Sequence, residues 1–276
     1  VRRLIQRLWK VKHEEFDDVL LTRTTIVGDM QSGKTTTIET IIKAINEVYS
    51  DIPQVNIYTR SYREVHSLHR KQHEDIREAI EKAEILNILI DDALTTMHVR
   101  GHYVSDEINF AMIRHYFKEK LDIRRMTLNV FFATQRYQLL FNMMRQAPIL
   151  LFKAITVRDY WERRQIAGLL GWNYLKYLDE MAREVLINKN REYMDKTIFC
   201  EGKRVKVVDF PKDNEGISFY DLEGDNLSER DRYVLNALRD GWTYREIESV
   251  FEISSRDIAR LSRYYKYKLK VESKTG

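Results

Sequence analysis

Cysteine is almost missing. Cys200 stands alone among 276 residues, which excludes an internal disulfide framework and any cysteine cluster with zinc-ligand spacing. A reducing, cytoplasmic setting is the expectation. Proline and glycine are scarce too, at three and ten residues, so long flexible linkers and low-complexity tracts are not expected. No apolar run approaches the roughly 18 residues that a membrane helix needs. The stretch Val1–Lys12 is basic and amphipathic without a continuous apolar core, so it does not read as a secretory signal. Residues 1–20 read instead as a basic arm, free to dock on a neighbour or on DNA.

Apolar content is 43%, enough for a substantial core, and charged residues make up 32%, above the roughly 25% of an average globular chain. The length predicts one sizeable domain with a smaller appendage. Net charge is +4 with a pI near 8.9, and its distribution matters more than its size. Between Arg256 and Lys270 six basic residues face Asp257 alone. Such a basic face suits a polyanion partner, and it equally suits a solvated helix.

Short β-branched runs alternate with longer helical patterns. Strands are predicted at 24–27, 55–58, 88–90, 128–133 and 149–155, with helices over 34–49, 62–83, 106–120, 159–170 and 172–183. That alternation predicts βαβ units and a mainly parallel sheet covered on both faces. A hairpin follows, 197–200 and 205–208, turning at Glu201-Gly202-Lys203. Residues 210–227, with Pro211, Gly216 and Gly224, read as a linker. The expected domains are therefore 21–209 and 228–276.

The sharpest motif is Gly28-Asp29-Met30-Gln31-Ser32-Gly33-Lys34-Thr35, a G-x-x-x-x-G-K-[ST] loop between a predicted strand and a predicted helix. Glycines let the backbone wrap a phosphate, and successive amides at a helix N-terminus attract its charge. Residues 28–36 are thus expected to bind ATP, with Lys34 on the β- and γ-phosphates and the Thr35 hydroxyl on Mg²⁺. Thr36 closes the loop's first turn. Ile88-Leu89-Ile90-Asp91-Asp92 supplies the partner: Asp91 on the metal side and Asp92 beside the attacking water. Phe131-Phe132-Ala133-Thr134-Gln135 is an apolar strand with a polar end. Gln135 reads as a γ-phosphate sensor or as a cap on that strand.

The order of these pieces, with Ala133-Thr134-Gln135-Arg136, then Leu150-Leu151-Phe152-Lys153-Ala154-Ile155, Thr156-Val157-Arg158-Asp159 and Arg164 to Gly171, resembles the HerA–FtsK superfamily of DNA-pumping ATPases over residues 20–210. The resemblance implies a RecA-like α/β core, ATP and Mg²⁺ as ligands, double-stranded DNA as partner, and a homo-oligomer, a hexamer among the options. Small members imply viral packaging or plasmid transfer, with a capsid, portal or transfer-apparatus protein as further partner. It also implies a trans-acting arginine finger before the Thr-Gln strand. Arg124, eleven residues ahead of Gln135, matches that place, with Arg125 as the fallback. Most members end the metal-side strand in Asp-Glu; Asp91-Asp92 departs from this and weakens the water-activating role of Asp92. A replication or partition initiator and a nucleotide-switched DNA-binding regulator are the competing readings.

From Ser228 the pattern reads as three helices, a small all-α (winged) helix-turn-helix domain. Thr243 with Glu246 forms a capping box, and Ile247, Val250 and Phe251 supply an apolar face. The last helix carries Ile258, Leu261 and Tyr265 inward, with Arg256, Arg260, Arg263 and Lys266 left for DNA. A protein-docking three-helix unit fits the same pattern. His66, His69 and His73 have one-face helical spacing, but with no fourth ligand they read as a solvated face.

Overall fold

The computed structural model describes residues 2–11, 18–60, 62–70, 73–91, 113–135, 137, 145–211 and 217–222. In the C-terminal stretch it describes 234, 237–238, 242–251, 253–254 and 258–259. The chain divides into two compact units, Val1–Tyr220 and Asp221–Gly276.

The first unit is built on strands β1 (Val19–Val27), β2 (Gln54–Thr59), β3 (Ile85–Ile90), β4 (Met126–Thr134), β5 (Ile149–Phe152), β6 (Lys196–Glu201) and β7 (Arg204–Asp209). With β8 (Tyr220–Asp221) they form one sheet in the order β7-β6-β5-β1-β4-β3-β2-β8. β5, β1, β4, β3 and β2 run parallel, and the β6–β7 hairpin adds antiparallel pairs at one side. This is the expected RecA-like α/β sheet. β3 and β4 are buried along their whole length, which is why their sequences run apolar without alternation. The connecting helices include α1 (Arg2–Leu8), α2 (Lys34–Val48), α3 (Tyr62–Val65), α4 (Glu74–Glu81) and α5 (Ile113–Lys120). α6 (Tyr160–Leu170), α7 (Trp172–Ala182) and α8 (Arg191–Asp195) follow, with a π-helical turn at Arg183–Ile187 between the last two.

A row of asparagines fixes the register in the middle of the sheet. Asn56, Asn87 and Asn129 are direct neighbours on β2, β3 and β4. Asn129 Nδ2 donates to Asn87 Oδ1, and Asn87 Nδ2 donates to Asn56 Oδ1, both at 2.9 Å. A one-residue slip would strand the buried amides of Asn87 and Asn129 without partners, a cost of about 1–3 kcal/mol each.

Three expectations are corrected. Residues 2–9 do not extend as an arm: α1 packs on α2, and the apolar side of its amphipathic pattern, Ile5, Leu8 and Trp9, is buried. The Trp9 indole stacks on Phe131 at 6.1 Å, and its Nε1 donates to Thr24 Oγ1 at 3.2 Å. The helix expected over 62–83 is broken between α3 and α4, so the three histidines share no helical face. His66 and His73 pack, while His69 stays exposed: His73 Nε2 lies 3.1 Å from Ser67 Oγ, and the His66 ring lies 4.6 Å from that of Tyr116. Burial lowers the His66 pKa and pushes the Tyr116 phenol up to about 12. β5 stops at Phe152, short of Ile155, because Lys153 and Ala154 turn toward the loop described below. The two units divide between Tyr220 and Asp221, within the expected linker 210–227, where Phe210 and Phe219 are buried.

In the second unit α9 (Tyr244–Phe251) begins at the expected capping box. The Thr243 amide donates to Glu246 Oε2 at 2.6 Å, and the Glu246 amide donates to Thr243 Oγ1 at 3.4 Å. Val234, Ala237, Ile247 and Ile258 form its core, with Leu238 and Ile253 packed against them.

Removing the Trp9 indole tests whether α1 belongs to this body. Trp9→Ala should destabilise the protein by about 3–5 kcal/mol, read as a lower denaturant midpoint. An unchanged midpoint would mean that α1 contributes nothing to the core.

Candidate functional site

The loop after β1 lies where the strand order reverses, since β5 and β4 flank β1 on opposite sides. In open parallel sheets this crevice at the carboxyl ends of the strands receives ligands. Both neighbours hold the loop. The Gly28 amide donates to Thr134 O at 3.0 Å, and the Asp29 amide donates to Ala154 O at 2.8 Å. Asp29 Oδ2 in turn accepts from the Thr156 amide at 2.8 Å. Asp29, an unspecified position in the motif, is here a strut to the segment after β5.

The two glycines have different reasons. A Cβ on Gly28 would stand 2.5 Å from Ser32 Oγ and 2.8 Å from Lys153 Cβ, so the close approach of the backbone forbids a side chain. Gly33 has room but takes φ +87°, a left-handed turn that launches α2. Gln31 is also left-handed, at φ 63°. Alternating left-handed residues turn successive amides to one side, the arrangement that makes an anion nest.

Lys34, only 9% exposed, folds back over the loop, and its Nζ donates to Gly28 O and Asp29 O, each at 2.8 Å. Thr35 Oγ1 donates to Asp91 Oδ2 at 3.0 Å across 56 positions of sequence. The hydroxyl gives its proton to the carboxylate and keeps a lone pair for a cation. Tyr58, at the end of β2, donates from its hydroxyl to the same Asp91 oxygen at 3.4 Å, and Arg60 Nε reaches that phenol at 3.4 Å. Among the described residues, buried Ser32 Oγ and Thr134 Oγ1 find no hydrogen-bond partner, leaving acceptor and donor capacity at the loop for a bound group. The donor set fits a phosphate chain with one divalent cation: loop amides and Lys34 for phosphate oxygens, Thr35 and Asp91 for the cation.

Of the remaining expected residues, Gln135 follows Thr134 directly and so borders the loop. Met30 is exposed and Thr36 lies in the first turn of α2. Asp92 lies outside the described residues, as do Arg256, Arg260, Arg263 and Lys266. Arg124 is not in this site. It precedes β4, and the nine residues of that strand, at about 3.3 Å each, put it roughly 30 Å from the loop. Its side chain is 75% exposed with Asp122 3.5 Å away. Arg125 lies at the same far end, lining a cleft with Asp18, Glu84 and Arg114.

Two residues escaped the sequence reading. Tyr58 carries no motif and is recognisable only once β2 is seen beside β3. Lys153 had a signal, a lysine closing the apolar run Ile149–Phe152, and the structure buries it to 1% exposure behind the loop.

The Gly28 contacts generate a test. Gly28→Ala should cost about 1–3 kcal/mol of stability through overpacking and abolish binding of a fluorescent ATP analogue. Retained binding at wild-type affinity would show that the loop tolerates the shift.

No protein-family model matches the chain, and no curated protein matches it either. Among solved structures, B204, the DNA-packaging ATPase from Sulfolobus turreted icosahedral virus, matches with 11% identity and a TM-score of 0.42, over 74% of this chain and all of that one. The cytoplasmic domain of the type VII secretion ATPase EccC from Thermomonospora curvata matches with 13% identity and a TM-score of 0.41, over 70% of this chain and 24% of that one. The pCW3 conjugation coupling protein TcpA, in a monomer form with ATPγS, matches with 12% identity and a TM-score of 0.39, over 70% of this chain and 60% of that one.

Proposed function

We propose that this chain is an ATPase that works as an oligomer on double-stranded DNA, in the manner of a packaging or transfer motor. The observation that carries the nucleotide reading is the Thr35–Asp91 contact at 3.0 Å beneath a loop whose lysine covers its own carbonyls. In this reading the amides of residues 30–35 and Lys34 take the phosphates, and Thr35 and Asp91 hold Mg²⁺. The cation supplies charge neutralisation across the phosphates. Gln135, bordering the loop, orients the attacking water together with Asp92.

Arg124 supports an assembly. An exposed arginine at the far end of the sheet is out of reach of its own loop and free to enter a neighbour's site, where it would stabilise charge on the transferred phosphoryl group. DNA enters as the partner through the basic residues of the C-terminal unit, Arg256, Arg260, Arg263 and Lys266. Its core and capped helix α9 are consistent with a helix-turn-helix.

Two experiments test this. Lys34→Ala should abolish nucleotide binding or turnover, while Arg124→Ala should bind ATP normally and lose hydrolysis by about 10³-fold or more. Mixing the two inactive proteins should restore part of the activity, because an intact loop then meets an intact arginine. Normal hydrolysis by Arg124→Ala would remove the trans finger from the reading. Separately, ATPase activity should rise with the length of added duplex. Saturation by one short site would favour an initiator or a regulator over a motor.

A further inference from the structure

The proposed nucleotide site accounts for Lys34 but leaves a second lysine beside the loop unexplained. Lys153 follows β5, and its stem runs behind the loop from one glycine to the other. Its Cβ lies 2.8 Å from where a Gly28 Cβ would stand, and its Cε and Nζ lie 3.7 and 3.9 Å from the equivalent point on Gly33. The ammonium donates to Met194 O, to Lys196 O at 2.9 Å and to Thr197 Oγ1 at 3.4 Å. All three of its protons are thereby accounted for. No acidic side chain is among these acceptors; Asp195 and Asp209 act on it only through space.

Burying a cation on neutral acceptors is costly, and apolar packing alone would need only the stem. What the charge adds is a positive potential at the back of the loop, in a region of low dielectric where such a potential is strong. It also ties the α8–β6 junction to the loop.

We propose that Lys153 is a positioning residue of the phosphate site, a second cation that attracts and orients the phosphate chain through the loop backbone without touching it. This rests on the nucleotide reading above. The ammonium braces the nest from behind while Lys34 closes it from the front. The charged groups around Lys153 are Asp195 on α8, Asp209 on β7 and Lys196 on β6, with Asp29 and Lys34 on the loop. Lys196 Nζ is itself paired with Asp209 at 3.0 Å.

Burial pushes the Lys153 pKa down to about 8, with Asp195 and Asp209 opposing the fall. The protonated form exists below that value, so the attraction is complete there and is lost as pH rises through it. The probe is a non-hydrolysable ATP analogue with Mg²⁺, titrated onto the full chain from about pH 7 to about pH 9.5, below the range of an ordinary lysine, with the Lys153→Met profile subtracted to remove the analogue's own ionisation. Wild type should lose affinity on the order of tenfold across a midpoint near 8. Lys153→Met, which keeps the stem, should bind more weakly by a similar factor at pH 7, and the midpoint near 8 should appear only in the difference between the two profiles. Should Lys153→Met not fold, Asp195→Asn serves instead. Removing that carboxylate should move the wild-type midpoint to lower pH with the fold intact. A flat wild-type profile, or a Lys153→Met profile like that of wild type, overturns the role of Lys153 while leaving the nucleotide site standing. No binding by wild type at any pH overturns the nucleotide reading itself.

Discussion

The backbone of residues 28–35 has the shape it does because three parallel strand ends hold it. β1 delivers the chain, the last carbonyl of β4 takes the Gly28 amide, and the carbonyl of Ala154, just past β5, takes the Asp29 amide. A loop held at one end only would lose the entropy of ordering on every binding event. Here the sheet has met that cost before any ligand arrives. The same three strands explain why Gly28 must be bare, since Lys153 and Ser32 close on it from either side. The strand order is therefore part of the site, and a different neighbour for β1 would leave the loop without its anchors.

The elements legible in the sequence were those that follow from periodicity and turn chemistry. The buried strands β3 and β4, the helix after the loop and the hairpin turning at Gly202, with its φ of +57°, all stand where apolar runs and turn residues put them. In the candidate site, the loop and Asp91 were legible because each has a local pattern, and the structure brings Thr35 to Asp91. Tyr58 was not, because its role depends on β2 lying beside β3, a relation that no local window contains. The arm expectation fails over residues 2–9 for a related reason. Val1–Lys12 is basic, but charge says nothing about the opposite face, and Ile5, Leu8 and Trp9 are spaced to bury together once a helix forms. The broken helix at 62–83 failed through continuity: helical spacing across 66–73 hid a turn in which Ser67 Oγ and His73 meet.

The C-terminal unit obeys a tighter constraint. A unit of some 56 residues buries a smaller fraction of its surface than a large domain does, so locally satisfied helix ends weigh more in it. The reciprocal Thr243–Glu246 bonds do this at the start of α9, while Ile247, one residue on, enters the core with Val234, Ala237 and Ile258. Capping and packing thus fall within one helical turn. That concentrates the described stabilising contacts at the start of this helix.

Polarity along the strands carries the last step. The parallel core gives the sheet two chemically distinct ends, the loop with Lys34, Thr35 and Asp91 at one and Arg124 with Arg125 at the other. An antiparallel two-fold dimer can set one subunit's loop end against the other's arginine end, and does so reciprocally. A head-to-tail arrangement can do so as well, and it either closes into a ring or grows as a filament. The direction of the sheet therefore does not choose between these symmetries. What it does fix is the separation: the length of β4 keeps Arg124 away from the loop of its own chain, so any contact between the two has to be made between subunits.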